Sequence, residues 1–168
     1  ETREPVQGRN FAALRGRREE VRQREQDAEQ AHRQLDIATA MLGNAATRPN
    51  IRAVAQDLLG YLAEDLDAAR EHRAAAFEAA SESGHPLAVA RVLVGIADLA
   101  LRQKQYEQAA RLLAASAAVR GLPVLSQPDV ARIEQAARRR LGDTRFTEAT
   151  REGTGTAWHD LATLTLAC

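Results

Sequence analysis

Apolar residues recur along this chain at spacings of three and four, and polar breaks carrying Gly or Pro separate the periodic stretches. The first stretch, residues 10–42, reads as helix broken near Gln26 and Asp27. Its opening half sets Phe11, Leu14 and Val21 on one side, and its second half carries the stripe Ala31, Leu35, Ala38 and Leu42. The break "GNAATRPN" ends it, because Pro49 cannot continue a helix. The pattern then predicts helices over 51–63, with Ile51, Val54, Leu58 and Leu62 inward, and over 66–82, with Ala69, Ala76 and Ala80 in register. After "SGHP" a helix opens on Pro86 and runs to about Arg102, and a sixth covers 106–120. The loop "GLPVLSQPD" offers Ser126 as the N-cap of a seventh helix to Leu141, which Gly142 closes. Short helices near 144–152 and 156–167 finish the chain. Nothing reads as a strand.

The helices repeat. Ala31/Leu35/Ala38, Ala69/Arg73/Ala76 and Ala109/Leu113/Ser116 give the same small–x–small register at offsets of 38 and 40 residues. A fixed period of this size is the mark of stacked helical hairpins. Small residues belong where two helices approach at the short end of the usual 8–10 Å separation. The expectation is an all-α helical-hairpin solenoid of about three repeats over 1–125, with capping helices over 126–168, in a single domain overall.

Composition narrows the function classes. Of the 168 residues 45% are hydrophobic but only 4% aromatic, which suits Ala/Leu helix packing better than a sheet core. The 23 basic and 23 acidic residues cancel, so direct nucleic-acid binding by this segment is not expected. Lys104 is the only lysine, a bias toward Arg and Ala that points to a GC-rich bacterial coding sequence. The sole cysteine, Cys168, forms no intramolecular disulfide, in keeping with a cytoplasmic protein. No apolar run reaches the roughly 18 residues of a membrane span, so no membrane partner is expected. The first residue is Glu1, and a segment of a longer polypeptide is expected.

The third unit resembles a tetratricopeptide repeat, whose large, small, aromatic and two later small positions match Leu93, Ala97, Tyr106, Ala109 and Ser116. In the second unit Leu66 replaces the aromatic and Asp57 occupies the small position, and the period exceeds the family's usual 34 or so. Residues 108–167 resemble the C-terminal end of large ATP-binding bacterial transcriptional regulators of the SARP or LuxR-like type. The matching residues are Leu112/Leu113, Leu141/Gly142, Phe146, Ala149, Gly153 and the alternation Leu161/Ala162/Leu164/Leu166. Thr150 stands where that family commonly has Trp, and Trp158 falls on the last helix. The resemblance implies a helical-repeat tail that binds a peptide, a protein partner or an effector and so holds or releases a switch elsewhere in the regulator. The partner can be another domain of the same regulator.

Candidate chemistry is sparse. His32, His72, His85 and His159 are scattered, with no His pair four apart and no C-x-x-C, so neither a metal site nor a cofactor is expected. No nucleophile–base constellation or P-loop is present, and the chain is not expected to be an enzyme. The "RRR" run at Arg138, Arg139 and Arg140 reads first as charge at a helix end. In a hairpin solenoid the first helix of each pair lines the concave side. That places Gln56, Tyr61, Arg91, Asp98 and Arg102 as the candidate groove residues. A second expectation is self-association, with the Arg/Glu/Gln-rich N-terminal helices pairing between chains into a homo-oligomer.

Overall fold

The computed structural model describes residues 48–121 and 127–167, a stretch at 33–40, and single positions between 19 and 31. Phe11, Leu14, Val21, Asp27, His32, Leu42, Ser126 and Cys168, named above, lie outside the described residues. The chain divides into two units, Glu1–Asp36 and Ile37–Cys168. In the first, the described positions are helical, and Arg33 meets Glu29 at 3.3 Å on an exposed surface, a one-turn pair.

In the second unit every regular element among the described residues is a helix. They are α1 (Pro49–Leu62), α2 (Leu66–Ser83), α3 (Pro86–Arg102), α4 (Tyr106–Arg120), α5 (Pro128–Gly155) and α6 (Trp158–Leu166). Pro opens α1, α3 and α5, where its missing N–H costs nothing. Asp65 caps α2 by accepting from the Ala68 N–H at 2.7 Å. The sequence pattern passed over that cap, because the acids at 64, 65 and 67 look alike until one is seen facing the free amides.

α5 carries the break expected at Gly142. It consists of two helical halves that meet at Gly142, whose φ of 74° and ψ of 166° are non-helical and suit glycine alone, so the helix from Pro128 closes there and a second one follows. The second half continues to Gly155, and Thr156 ends it; its hydroxyl donates back to the Glu152 carbonyl at 2.8 Å. The last helix starts at Trp158.

Turns of three residues join α1 to α2 and α3 to α4, so each pair is an antiparallel hairpin. From α1 to α5 each helix packs on the next, and α3 also touches α1 and α5. α3 is buried from Ala88 to Ala100 except at Arg91, as befits a helix apolar almost all round. Equivalent positions recur at an offset of 40 residues: Ala53, Leu93 and Ile133 are buried, as are Ala69, Ala109 and Ala149. The small residues permit close approach. A Cβ added at Gly153 would stand 2.2 Å from the Arg111 carbonyl oxygen, so α5 and α4 touch backbone to backbone. α6 folds back onto α4, α3 and α2. Buried Gln108 fastens it by donating to the Leu161 carbonyl at 2.9 Å and to Thr165 Oγ1 at 3.0 Å, and Trp158 meets the edge of Phe77 at 5.8 Å.

Candidate partner-binding face

The first helices of successive hairpins, α1, α3 and the first half of α5, share a polar face. Its foundation is Asp57 on α1, 1% exposed. A carboxylate so buried must be paired or neutral. Asp57 Oδ1 accepts from Arg73 Nη1 of α2, and Oδ2 accepts from Arg91 Nε of α3 at 3.2 Å. One carboxylate therefore ties three helices. Burial pushes its carboxyl up from the ordinary carboxylate range, and Arg73 and then Arg91 act against that push.

Arg73 is itself 1% exposed. Its Nη1 also donates to the Asp57 carbonyl at 2.7 Å, and its guanidinium lies 3.9 Å from the Tyr61 ring centroid. Its other terminal nitrogen, Nη2, has no hydrogen-bond partner among the described residues. Two glycines make room for the guanidinium. A Cβ at Gly60 would fall 2.8 Å from Arg73 Nε, and one at Gly95 would fall 2.2 Å from both Arg73 Nη1 and Asp57 Oδ1.

The motif recurs one hairpin further on. Arg132 of α5 donates to Asp98 of α3 at 2.6 Å and lies 3.5 Å from Asp129. In both pairs the arginine stands 34 residues after its aspartate, the aspartate is buried and the arginine about half exposed. Tyr61 lies in the field of Asp57, Asp98 and Asp129; burial first, then Asp57, pushes its phenol above the ordinary value.

Of the five residues expected to line a groove, three sit in this network: Tyr61, Arg91 and Asp98. The other two hold the first hairpin together. Gln56 Oε1 meets His72 Nδ1 of α2 at 2.8 Å, and Arg102 Nη2 donates to the Ala63 and Glu64 carbonyls at 3.1 and 3.2 Å, closing the α1–α2 turn. Sequence reasoning missed Asp57, Arg73 and Arg132 as members. A signal was present for two of them: Asp57 occupies a position that wants a small residue, and Arg73 one that holds Leu in the neighbouring units.

Charge fixed in this way can recognise an oppositely patterned surface, since the half-exposed guanidiniums of Arg91 and Arg132 are held in place before any partner arrives. Among the described residues no group of three His, Cys, Asp or Glu could hold a metal ion, and no helix is long and apolar enough to cross a membrane. No protein-family model, curated protein or solved structure matches the chain.

Proposed function

We propose that this chain is a non-catalytic interaction domain, a tetratricopeptide-like stack of helical hairpins, from the tail of a bacterial transcriptional regulator. The face of α1, α3 and α5 receives a peptide or protein partner, and partner binding biases the regulator's switch through unequal affinity for its two states. The observation that carries this reading is the pair of arginines, Arg91 and Arg132, each steadied by a buried aspartate of the preceding first helix. Pre-placed Arg side chains are frequent hot spots because little entropy remains to be lost on binding. The hairpin stack is supported by the 40-residue recurrence of buried positions. The regulator assignment rests on the resemblance of residues 108–167; of the residues that carry it, Leu112, Leu113, Phe146, Ala149, Gly153, Leu161 and Ala162 are buried and Leu164 is exposed.

The test is made in the parent regulator with Arg91→Ala and Arg132→Ala together. Both side chains are about half exposed, so helix content should stay unchanged by circular dichroism while the transcriptional response to inducer changes. A response identical to that of the parent rejects the face as the working surface.

A further inference from the structure

A cavity of about 490 Å³ lies away from this face, between the α3–α4 turn, the first turn of α4, the bend of α5 and the end of α6. Its lining is basic: Lys104, Arg111, Arg140 and Arg145, against the single acid Glu107. The four cations are not alike. Arg145 is spent on Glu107, with Nε at 3.1 Å from Oε1, and Arg111 is spent on Glu152 at 2.7 Å. Lys104 and Arg140 have no carboxylate partner among the described residues. Arg140 reaches over the Tyr106 ring, 5.9 Å from its centroid, and Leu141 and Leu164 give the cavity an apolar wall.

Lys104 is also the chain's only lysine and the only described non-glycine residue with positive φ, at 64°. It holds the left-handed position that closes α3: its N–H donates to the Leu101 carbonyl and the Gln105 N–H to the Ala100 carbonyl at 2.8 Å. The other three described left-handed positions, 84, 121 and 142, are glycine. A side chain there costs about 1 kcal/mol in backbone strain relative to glycine. Strain kept where glycine would relieve it is a reason to look for a use of the side chain, and this side chain borders the cavity.

We propose that this cavity binds a small phosphate monoester, with the phosphate held between Lys104 and Arg140 and the organic part lying along Leu141 and Leu164. Two unpaired cations match the charge of roughly −1.5 to −2 on a phosphate monoester near neutral pH. Arg supplies a planar fork to phosphate oxygens and Lys a compact point charge. The volume exceeds what inorganic phosphate fills and falls in the range of small-ligand sites.

Titration calorimetry on the 168-residue chain decides it, with AMP, inorganic phosphate, adenosine and succinate as probes. AMP should bind, inorganic phosphate should bind more weakly and compete with it, and adenosine should not bind. Arg140→Gln and Lys104→Gly should each weaken AMP binding about tenfold or more, as loss of a charged hydrogen bond does. Lys104→Gly also separates binding from folding, because it should keep or raise the melting temperature while losing affinity. The proposal falls if wild type binds neither AMP nor phosphate, if the two variants bind AMP as wild type does, or if succinate binds as tightly as AMP.

Discussion

Two junctions of this molecule are built on the same positions 40 residues apart and filled with opposite chemistry. Between α1, α2 and α3 the interior holds Asp57, Gly60, Tyr61 and Arg73, an ion pair with glycines cleared around it. Between α3, α4 and α5 the corresponding residues are Ala97, Ala100, Leu101 and Leu113, with Ala97 and Ala100 fully buried and Leu113 8% exposed. The backbone register tolerates either filling. An apolar junction asks only for matched volume. A charged one asks that each ion find its partner, since a buried charge left alone costs far more than a small apolar void. The first junction is therefore the more fragile to single changes, and it is the one from which the polar face extends outward through Arg91.

The largest test of that difference removes one ion at a time. Asp57→Ala strands the Arg73 guanidinium and Arg73→Leu leaves the Asp57 carboxylate with Arg91 alone; both groups are 1% exposed, and the changes should lower unfolding free energy by about 3–5 kcal/mol, Asp57→Ala the more. Urea denaturation followed by circular dichroism measures it. A loss below about 1 kcal/mol, the scale of a surface pair, means the junction is wet and the contrast with the second junction collapses.

Next in size is the space around the guanidinium. Gly95→Ala drives a methyl group against Arg73 Nη1 and Asp57 Oδ1, and neither group can retreat without breaking its bonds. Overpacking of this kind costs about 1–3 kcal/mol. Gly153→Ala should cost a similar amount in the second junction, where the obstacle is the Arg111 backbone. The two should respond differently to relief. In an Arg73→Leu background, Gly95→Ala has a shorter neighbour and its penalty should shrink, whereas the Gly153→Ala penalty should not move.

How much of this was legible beforehand differs between helices and contacts. The hairpins of α1 to α4 could be placed from apolar spacing, the prolines at 49 and 86, and the breaks at Gly84 and Gly121, because those signals act within a few residues. The break in α5 was legible from Gly142, which adopts the non-helical backbone there, whereas the run of the second half to Gly155 was not, because its small residues at 149 and 153 are fixed by contact with α4, which spacing does not encode. The candidate face was legible only as polar positions on α1 and α3. Asp57 and Arg73 read as two flaws in a repeat, one per helix. Only their adjacency across α1 and α2 shows that each flaw compensates the other, and adjacency between helices is what a single sequence withholds. The same limit made Gln56 and Arg102 look like groove residues when their polar ends are occupied by His72 and by the carbonyls of the α1–α2 turn.

Tyr61 provides a milder, pH-dependent way to sharpen the comparison, since its counterpart Leu101 cannot titrate. Burial and Asp57 hold its phenol proton more tightly in the folded chain than in the unfolded one, whose phenol titrates near the ordinary 10. The folded state therefore gains stability that is complete below pH 10 and is lost as pH rises above it. Between pH 10 and 11 the loss should be about 1 kcal/mol. Urea midpoints of wild type and Tyr61→Phe should diverge over that interval, with the wild type falling further. Parallel decline of the two proteins would show that the phenol is not desolvated.

The smallest expected change is the most demanding. Asp57→Ala with Arg73→Leu rewrites the first junction as the second, placing at both the residues found at 97 and 113. No charge is stranded, the leucine can pack beside Gly60 and Gly95, and Arg91 loses only the partner of a half-exposed guanidinium. Replacing a buried ion pair by apolar residues is often neutral or stabilising, so the double variant should lie within about 1 kcal/mol of wild type although each single change is severe. The coupling energy from the double-mutant cycle should therefore be several times the roughly 0.5 kcal/mol expected of independent sites. If the double variant instead loses the sum of the single losses, the two junctions are not interchangeable and the 40-residue equivalence of their interiors fails. If it folds as expected, the pair contributes no net stability, and its remaining use is to hold Arg91 in place on the face, as Asp98 holds Arg132 one hairpin further on. Partner binding, and not melting temperature, should then be what the double variant has lost.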